Sequence, residues 1–154
     1  MEAIHKERLL NVAKALREEA ARRKANPPRN SGDRFNMECF ANQCGSPGCA
    51  LGTYAHRADL QSAFRIAKLA GGTWWVVDAE GEQVYVDGPE RDPDTDELHG
   101  ESYASRSIKE HFGLTDEQAA ELFWMTGCGN AQTEHEAADY IEAFVARDGE
   151  PDNA

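Results

Sequence analysis

Two short runs rich in β-branched and aromatic residues limit the folds open to this chain more than any other feature. TWWVV (73–77) and EQVYV (82–86) stand on either side of a four-residue segment that ends in Gly81. Runs of this composition form strands, and four residues is a common length for a hairpin loop. The sequence therefore predicts a β-hairpin near 73–86, in a chain whose other periodic segments are helical.

The segments before the hairpin have the period of amphipathic helices. Residues 4–24 place their apolar side chains on one stripe, and a pair of prolines ends that pattern. A second helix is predicted to begin near Pro47, because proline is favoured in the first turn. We expect it to run through 49–58, to continue over 60–70, and to stop at the two glycines that follow.

The last third of the chain predicts three further helices. One ends at Gly113, and the other two begin at the capping-box patterns 115–118 and 133–136. The fold class is therefore α+β, with about five or six helices and one hairpin. We expect a mostly helical single domain over residues 1–149, followed by a flexible tail at 150–154.

The charge of the chain is large and unevenly distributed. The 154 residues carry a formal charge of −12. Residues 1–34 hold nine Lys or Arg against five Asp or Glu (+4), whereas residues 35–154 hold seven against 23 (−16). A surface this acidic repels phosphates, which argues against direct binding of nucleic acid. It either keeps the protein in solution or engages a protein partner with a basic surface.

Three cysteines and a histidine lie within 18 residues and suggest a zinc site. The candidate ligands are Cys39, Cys44, Cys49 and His56, with the spacing C-x4-C-x4-C-x6-H. This spacing is looser than that of C-x2-C knuckles. If 49–57 is helical, Cys49 and His56 are also separated by about 10.5 Å of helical rise. A small zinc-binding domain that uses Cys44 and Cys49 is one hypothesis, and otherwise no cofactor is predicted. Ordinary packing of the thiols is the alternative.

Cys49 also raises the hypothesis of a thiol enzyme. A thiol at a helix N-terminus has a lowered pKa and a larger thiolate fraction. Such a nucleophile needs a base within hydrogen-bond reach, and His56 lies too far along the same helix. No catalytic residue is predicted on these grounds, and an enzyme is the less favoured class.

An acidic loop and a tryptophan pair are the candidate partner-binding residues. Asp92, Asp94 and Asp96 have the spacing of the first ligands of a calcium loop. The match fails, because Glu97 stands where glycine is required and Tyr103 where the last glutamate is required. We interpret the loop as a solvated run of charge. Neighbouring residues of a strand point to opposite faces, so one indole of the Trp74-Trp75 pair is expected either to be covered or to meet a partner.

No stretch of the sequence reaches the roughly 18 apolar residues of a membrane span. The N-terminal MEAIHKERLLNVAKALREE has the pattern of an amphipathic helix, not of a signal peptide. We therefore expect a cytoplasmic protein that does not interact with membranes and whose cysteines are reduced thiols or ligands. The sequence does not define the oligomeric state.

Three motifs resemble those of a family of small uncharacterised proteins from bacteriophages, prophages and their bacterial hosts. The family motifs are RF-[ND]-M, C-G-T-x-x-C-x-x-G and G-L-[TS]-x-x-[QE]-A-x-x-L-F. Their counterparts here are RFNM (34–37), CGSPGCALG (44–52) and the segment 113–123. Ser46 replaces the usual threonine, and Cys39-Phe40 stand near an expected tryptophan. The resemblance covers about residues 5–145.

The resemblance implies a context and no defined chemistry. Small acidic accessory proteins of mobile elements often bind host proteins, and some present charge that imitates nucleic acid. Together with the acidity of residues 35–154, the resemblance predicts a non-catalytic accessory protein that acts by protein–protein binding. The expected target is a host nucleic-acid-handling or defence complex, which the protein would inhibit.

Overall fold

Five helices make up most of the regular secondary structure in the described part of the chain. The structure is a computed structural model that describes residues 1–27, 33–38, 47–125 and 127–150. Within these ranges the helices are α1 (Ala3–Ala25), α2 (Ala50–Ala55), α3 (Arg106–Phe112), α4 (Asp116–Phe123) and α5 (Glu134–Ala146). With the small antiparallel sheets described below, they confirm the predicted α+β, mostly helical fold. Of the tail predicted at 150–154, residues 151–154 lie outside the described residues.

The long helix α1 is the element against which most of the fold is packed. Its buried residues Leu9, Val12 and Leu16 form the stripe that the sequence predicts. This stripe faces the C-terminal helix α5, and α2 and α3 also contact α1. One continuous cluster of buried apolar side chains results, and it includes residues from α1 to α5.

The ends of the later helices are fixed by local hydrogen bonds. The Thr115 hydroxyl accepts from the Gln118 amide, and the Gln118 side chain accepts from the Thr115 amide. Thr133 and Glu136 repeat this capping box at the start of α5. Gly113 ends α3 with a φ of 64°, and a side-chain carbon there would overlap the His5 ring. The capping predictions are confirmed.

The helix predicted over 60–70 is wrong. α2 ends at Ala55, and Arg65–Lys68 form strand β1, which pairs antiparallel with β2 (Trp74–Val77). The two glycines taken as a helix stop are instead the turn of this hairpin, with φ values of 94° and 87°. The Leu69 amide donates to the Thr73 carbonyl (2.8 Å) and closes the turn.

The hairpin predicted near 73–86 is present on the other side of β2. The Asp78 amide donates to the Glu82 carbonyl (2.9 Å) across the predicted turn, and Gly81 has a φ of 83°. The Val84 amide then donates to the Val76 carbonyl (3.0 Å). β2 therefore lies between β1 and the segment that follows the turn.

A two-stranded ribbon extends from the body of the protein between β2 and α3. It consists of β3 (Val86–Asp87) paired with β6 (Tyr103–Ala104), and of β4 (Glu90–Arg91) paired with β5 (Leu98–His99). We call residues 86–104 the acidic ribbon and residues 92–97 its tip. The base of the ribbon packs against α4.

None of the helices in the described ranges has the length and apolar character that a membrane crossing requires.

Candidate functional site

Two basic residues of α1 form ion pairs with acidic residues of the C-terminal helix. Arg17 contacts Asp139 (2.6 Å) and Glu142 (3.0 Å) of α5. Arg23 contacts Glu134 (2.6 Å) at the start of the same helix. These charges therefore stabilise the packing of α1 on α5, and they do not form a basic surface for a partner.

The acidic ribbon carries the most concentrated exposed negative charge. Residues 86–104 contain seven Asp or Glu and one Arg, a net charge of −6. All of these carboxylate residues except the half-buried Asp92 are exposed. The ribbon is held to the body at its base, where the Ala104 amide donates to the Asp116 carboxylate (2.9 Å). It is therefore an anchored, solvent-exposed acidic element.

The aspartates of the tip form a hydrogen-bonded turn. The Asp92 carboxylate accepts from the amides of Asp94 (2.8 Å) and Thr95 (3.4 Å). The Asp92 amide donates to the Glu97 carbonyl (2.8 Å), and Arg91 pairs with Asp96 (3.1 Å). Asp92 thus orders the turn, while the carboxylates of Asp94 and Glu97 are exposed. Among the residues that the structure describes, no group of three His, Cys, Asp or Glu side chains is placed to hold a metal ion.

The two predicted tryptophans are both half-buried, so neither lies in the core and neither is fully exposed. The Trp75 indole donates to the Val84 carbonyl (3.0 Å), and its ring lies 6.1 Å from that of Tyr85. The Lys68 ammonium lies 5.7 Å from the Trp74 ring centroid.

Two tyrosines that we did not predict complete this surface. Tyr85 is 46% exposed and Tyr103 is 58% exposed, beside the base of the ribbon. The exposure of Tyr85 could have been predicted from the alternation of side chains along a strand, because Val84 and Val86 on either side of it are buried. Aromatic side chains with a polar tip are favoured at protein interfaces.

The predicted zinc ligands and thiol nucleophile are only partly described. Cys39 and Cys44 lie outside the described residues. Cys49 is buried as the N-cap of α2, where its sulfur accepts from the Gly52 amide (3.4 Å). His56 is exposed at the other end of this helix, so the structure does not bring it to Cys49. The zinc site therefore stays a prediction.

Cys128 is a second buried thiol, and its environment favours the protonated form. It lies in a left-handed turn, Gly127–Asn130, with a φ of 52°, and its sulfur donates to the Leu122 carbonyl (3.2 Å). Burial, and then the nearby Cys49 and Glu121, raise the pKa of Cys128 to about 12. A thiol with this pKa has almost no thiolate at neutral pH.

A buried pair formed by Tyr54 and His111 also has perturbed pKa values, and it was not predicted from the sequence. His111 Nε2 lies 2.8 Å from the Tyr54 hydroxyl. Phe112 packs against both rings, and Phe64 packs against the ring of His111. Burial, and then the charges of Arg8 and His5, lower the pKa of His111 to about 4. Burial raises the pKa of Tyr54 to about 12. At neutral pH the pair is therefore uncharged.

Comparison with family models, with curated proteins and with solved structures finds no match to this chain.

Proposed function

We propose that this protein is a non-catalytic accessory protein of the mobile-element type, which binds a protein with a basic surface through its acidic ribbon. The observation that carries the proposal is the ribbon itself, with seven carboxylate residues, one arginine and two exposed tyrosines at its base. In this proposal the partner belongs to a host nucleic-acid-handling or defence complex, which the protein inhibits in the cytoplasm.

The arrangement of charge and aromatic residues suits such a partner. Exposed carboxylates attract a basic surface over several ångströms and raise the association rate, an effect that salt screens. The tyrosines supply apolar area close to this charge, and such residues often carry much of the binding energy. Arg17 and Arg23 of α1 form their ion pairs with α5. These two basic residues therefore do not neutralise the charge of the ribbon.

We expect neutralisation of the tip to slow association with the partner about tenfold or more. The variant is Asp94→Asn, Asp96→Asn and Glu97→Gln, which leaves the turn-forming Asp92 in place. Asparagine tolerates the positive φ of residue 96, so the turn should persist. The partner is first captured from a host lysate at low salt, and binding kinetics are then measured with the purified pair across a salt series.

A matched control removes the same charge elsewhere. Glu2→Gln, Glu7→Gln and Glu117→Gln change three exposed residues outside the ribbon and should alter the association rate much less. Failure to capture any partner, or binding that does not weaken as salt rises, would argue against this electrostatic function. Equal effects of the two triple variants would show that net charge matters and that the ribbon does not.

A further inference from the structure

Three aromatic side chains share one face of the strands at the base of the acidic ribbon. The Trp75 ring lies 6.1 Å from that of Tyr85. The Ser105 amide donates to the Tyr85 carbonyl (2.8 Å), and two positions further along both strands Tyr103 pairs with Asp87. Side chains two positions apart on a strand, and side chains directly opposed across a pair, lie on the same face. Trp75, Tyr85, Asp87 and Tyr103 therefore form one surface, which we call the aromatic face.

The aromatic face points away from the body of the protein. Val86 and Ala104, which alternate with its residues along the chain, are buried on the opposite side. Gly88 also alternates with Asp87, and a side-chain carbon there would lie 2.6 Å from the Trp124 ring. The apolar contacts of these strands with the body are thus made by the opposite face, and Tyr85 and Tyr103 stay exposed.

Asp87 places a carboxylate among these aromatic rings. It is exposed, and within the described ranges it has no ion-pair partner. The one basic residue of the ribbon, Arg91, pairs with Asp96 (3.1 Å) at the tip. Because Asp87 is directly opposite Tyr103 and two positions from Tyr85, a cationic group bound to its carboxylate also reaches both tyrosine rings.

This combination suits the guanidinium group of arginine. A guanidinium is planar, stacks on aromatic rings and offers two parallel N–H groups to a carboxylate. The ammonium group of lysine pairs with the same carboxylate as a point charge, but it is more strongly hydrated and has no plane to stack. The negative charge of the neighbouring ribbon disfavours anionic partners.

We infer that the aromatic face binds arginine side chains of a protein partner in preference to lysine side chains. The guanidinium bonds to Asp87 and stacks on Tyr85 and Tyr103, while the ribbon carboxylates attract the surrounding basic surface. This inference rests on the proposed function, because it specifies which basic residues the partner presents to the ribbon.

The test compares three short amidated peptides that differ only at alternate positions, which hold arginine, lysine or citrulline. Binding of each labelled peptide to the purified protein is measured by fluorescence anisotropy at low salt. The arginine peptide should bind with a Kd of about 1 mM or tighter, and about tenfold more tightly than the lysine peptide. Citrulline keeps the planar shape without the charge, so its peptide should bind at least about tenfold more weakly than the arginine peptide.

Variants separate stacking from general attraction. Tyr103→Leu keeps an apolar side chain at this exposed position and should lower the ratio of arginine to lysine affinity about threefold or more. Tyr103→Phe keeps the ring and should leave the ratio unchanged. Asp87→Asn should weaken binding of the arginine peptide about tenfold. The triple variant of the tip should weaken binding of both basic peptides by a similar factor and preserve the ratio.

The possible failures distinguish this inference from the proposed function. Equal affinities for the arginine and lysine peptides, or a preference that survives both Tyr103→Leu and Asp87→Asn, would overturn the inference. The electrostatic function would then still stand, since a basic peptide is bound. Absence of binding by the arginine peptide would also overturn the inference. The proposed function fails by its own test, when the lysate provides no partner or when salt does not weaken binding.

Discussion

Replacing Arg23 with methionine is expected to lower the free energy of unfolding by about 3–5 kcal/mol. Arg23 lies near the end of α1, where its guanidinium contacts Glu134 (2.6 Å) and Asp33 (3.1 Å) and lies 3.4 Å from Glu19. It also donates to the Pro47 carbonyl. One side chain thus joins α1 to the start of α5 and to the segments that precede α2.

The size of the effect follows from burial. The Arg23 side chain is 9% exposed and that of Glu134 is 11% exposed. Methionine keeps most of the apolar contact but removes the cation that contacts Glu134, whereas Glu19 and Asp33 keep their contacts with Arg22. Carboxylates in a poorly solvated position cannot recover the lost interaction from water. Urea unfolding followed by circular dichroism measures the loss.

Arg17 provides the matched control, because it pairs with the same helix from the solvent side. Its side chain is 35% exposed and that of Asp139 is 71% exposed. Exposed pairs contribute little, so Arg17→Met should cost less than about 1 kcal/mol. Adding Glu134→Gln to Arg23→Met should restore part of the loss, because it removes one stranded carboxylate. Equal losses for Arg17→Met and Arg23→Met would contradict the role of burial.

Elements specified by neighbouring residues could be predicted from the sequence. The stripe of α1 and the capping boxes at Thr115 and Thr133 depend on side chains within a few positions of one another. The interactions that form these elements are local, so tertiary packing did not override them. The run TWWVV likewise formed a strand because β-branched and aromatic residues suit a half-buried sheet.

The segment 60–70 shows where such local prediction fails. Leu, Ala, Lys and Arg favour helices, and two glycines after them are typical of a helix end. The same glycines also permit the positive φ values of a tight turn, and β2 offers a backbone ladder to the preceding residues. Pairing with a strand decided the outcome, and composition alone does not reveal that partner.

The candidate sites also differ in whether they could be predicted from the sequence. The charge of the acidic ribbon is visible in the sequence, because the carboxylates are consecutive or nearly so. The Tyr54–His111 pair is not visible there, because the two residues are 57 positions apart and meet only through tertiary packing. The internal pairing of the basic helix was equally hidden, since Arg17 and its partners are more than 100 residues apart.

Lowering the pH from 7 to 4 is expected to cost about 3 kcal/mol of stability through His111 alone. Burial beside Tyr54, and then the charges of Arg8 and His5, lower the pKa of His111 from 6.5 to about 4 in the folded protein. Between these values the unfolded chain binds a proton that the folded chain does not. The contribution is therefore complete above about pH 6.5 and is lost as the pH falls towards 4.

Comparing the pH profile of the parent with that of a variant that lacks the His111 ring separates the effect of His111 from that of the acidic groups. The pKa values of Asp116 and Asp148 are lowered from 3.8 by hydrogen bonds and cationic neighbours, so those carboxyls lose their contribution below the His111 window. His111→Gln removes the titrating ring while its amide can still bond to Tyr54, and His99→Gln alters an exposed ring at the acidic ribbon. Urea unfolding at pH 7, 6, 5 and 4 should give His111→Gln a markedly flatter profile than the parent, and His99→Gln nearly the parent profile. Parallel profiles for the parent and His111→Gln would contradict this prediction, because they would mean that the folded protein binds a proton at His111 as readily as the unfolded chain does.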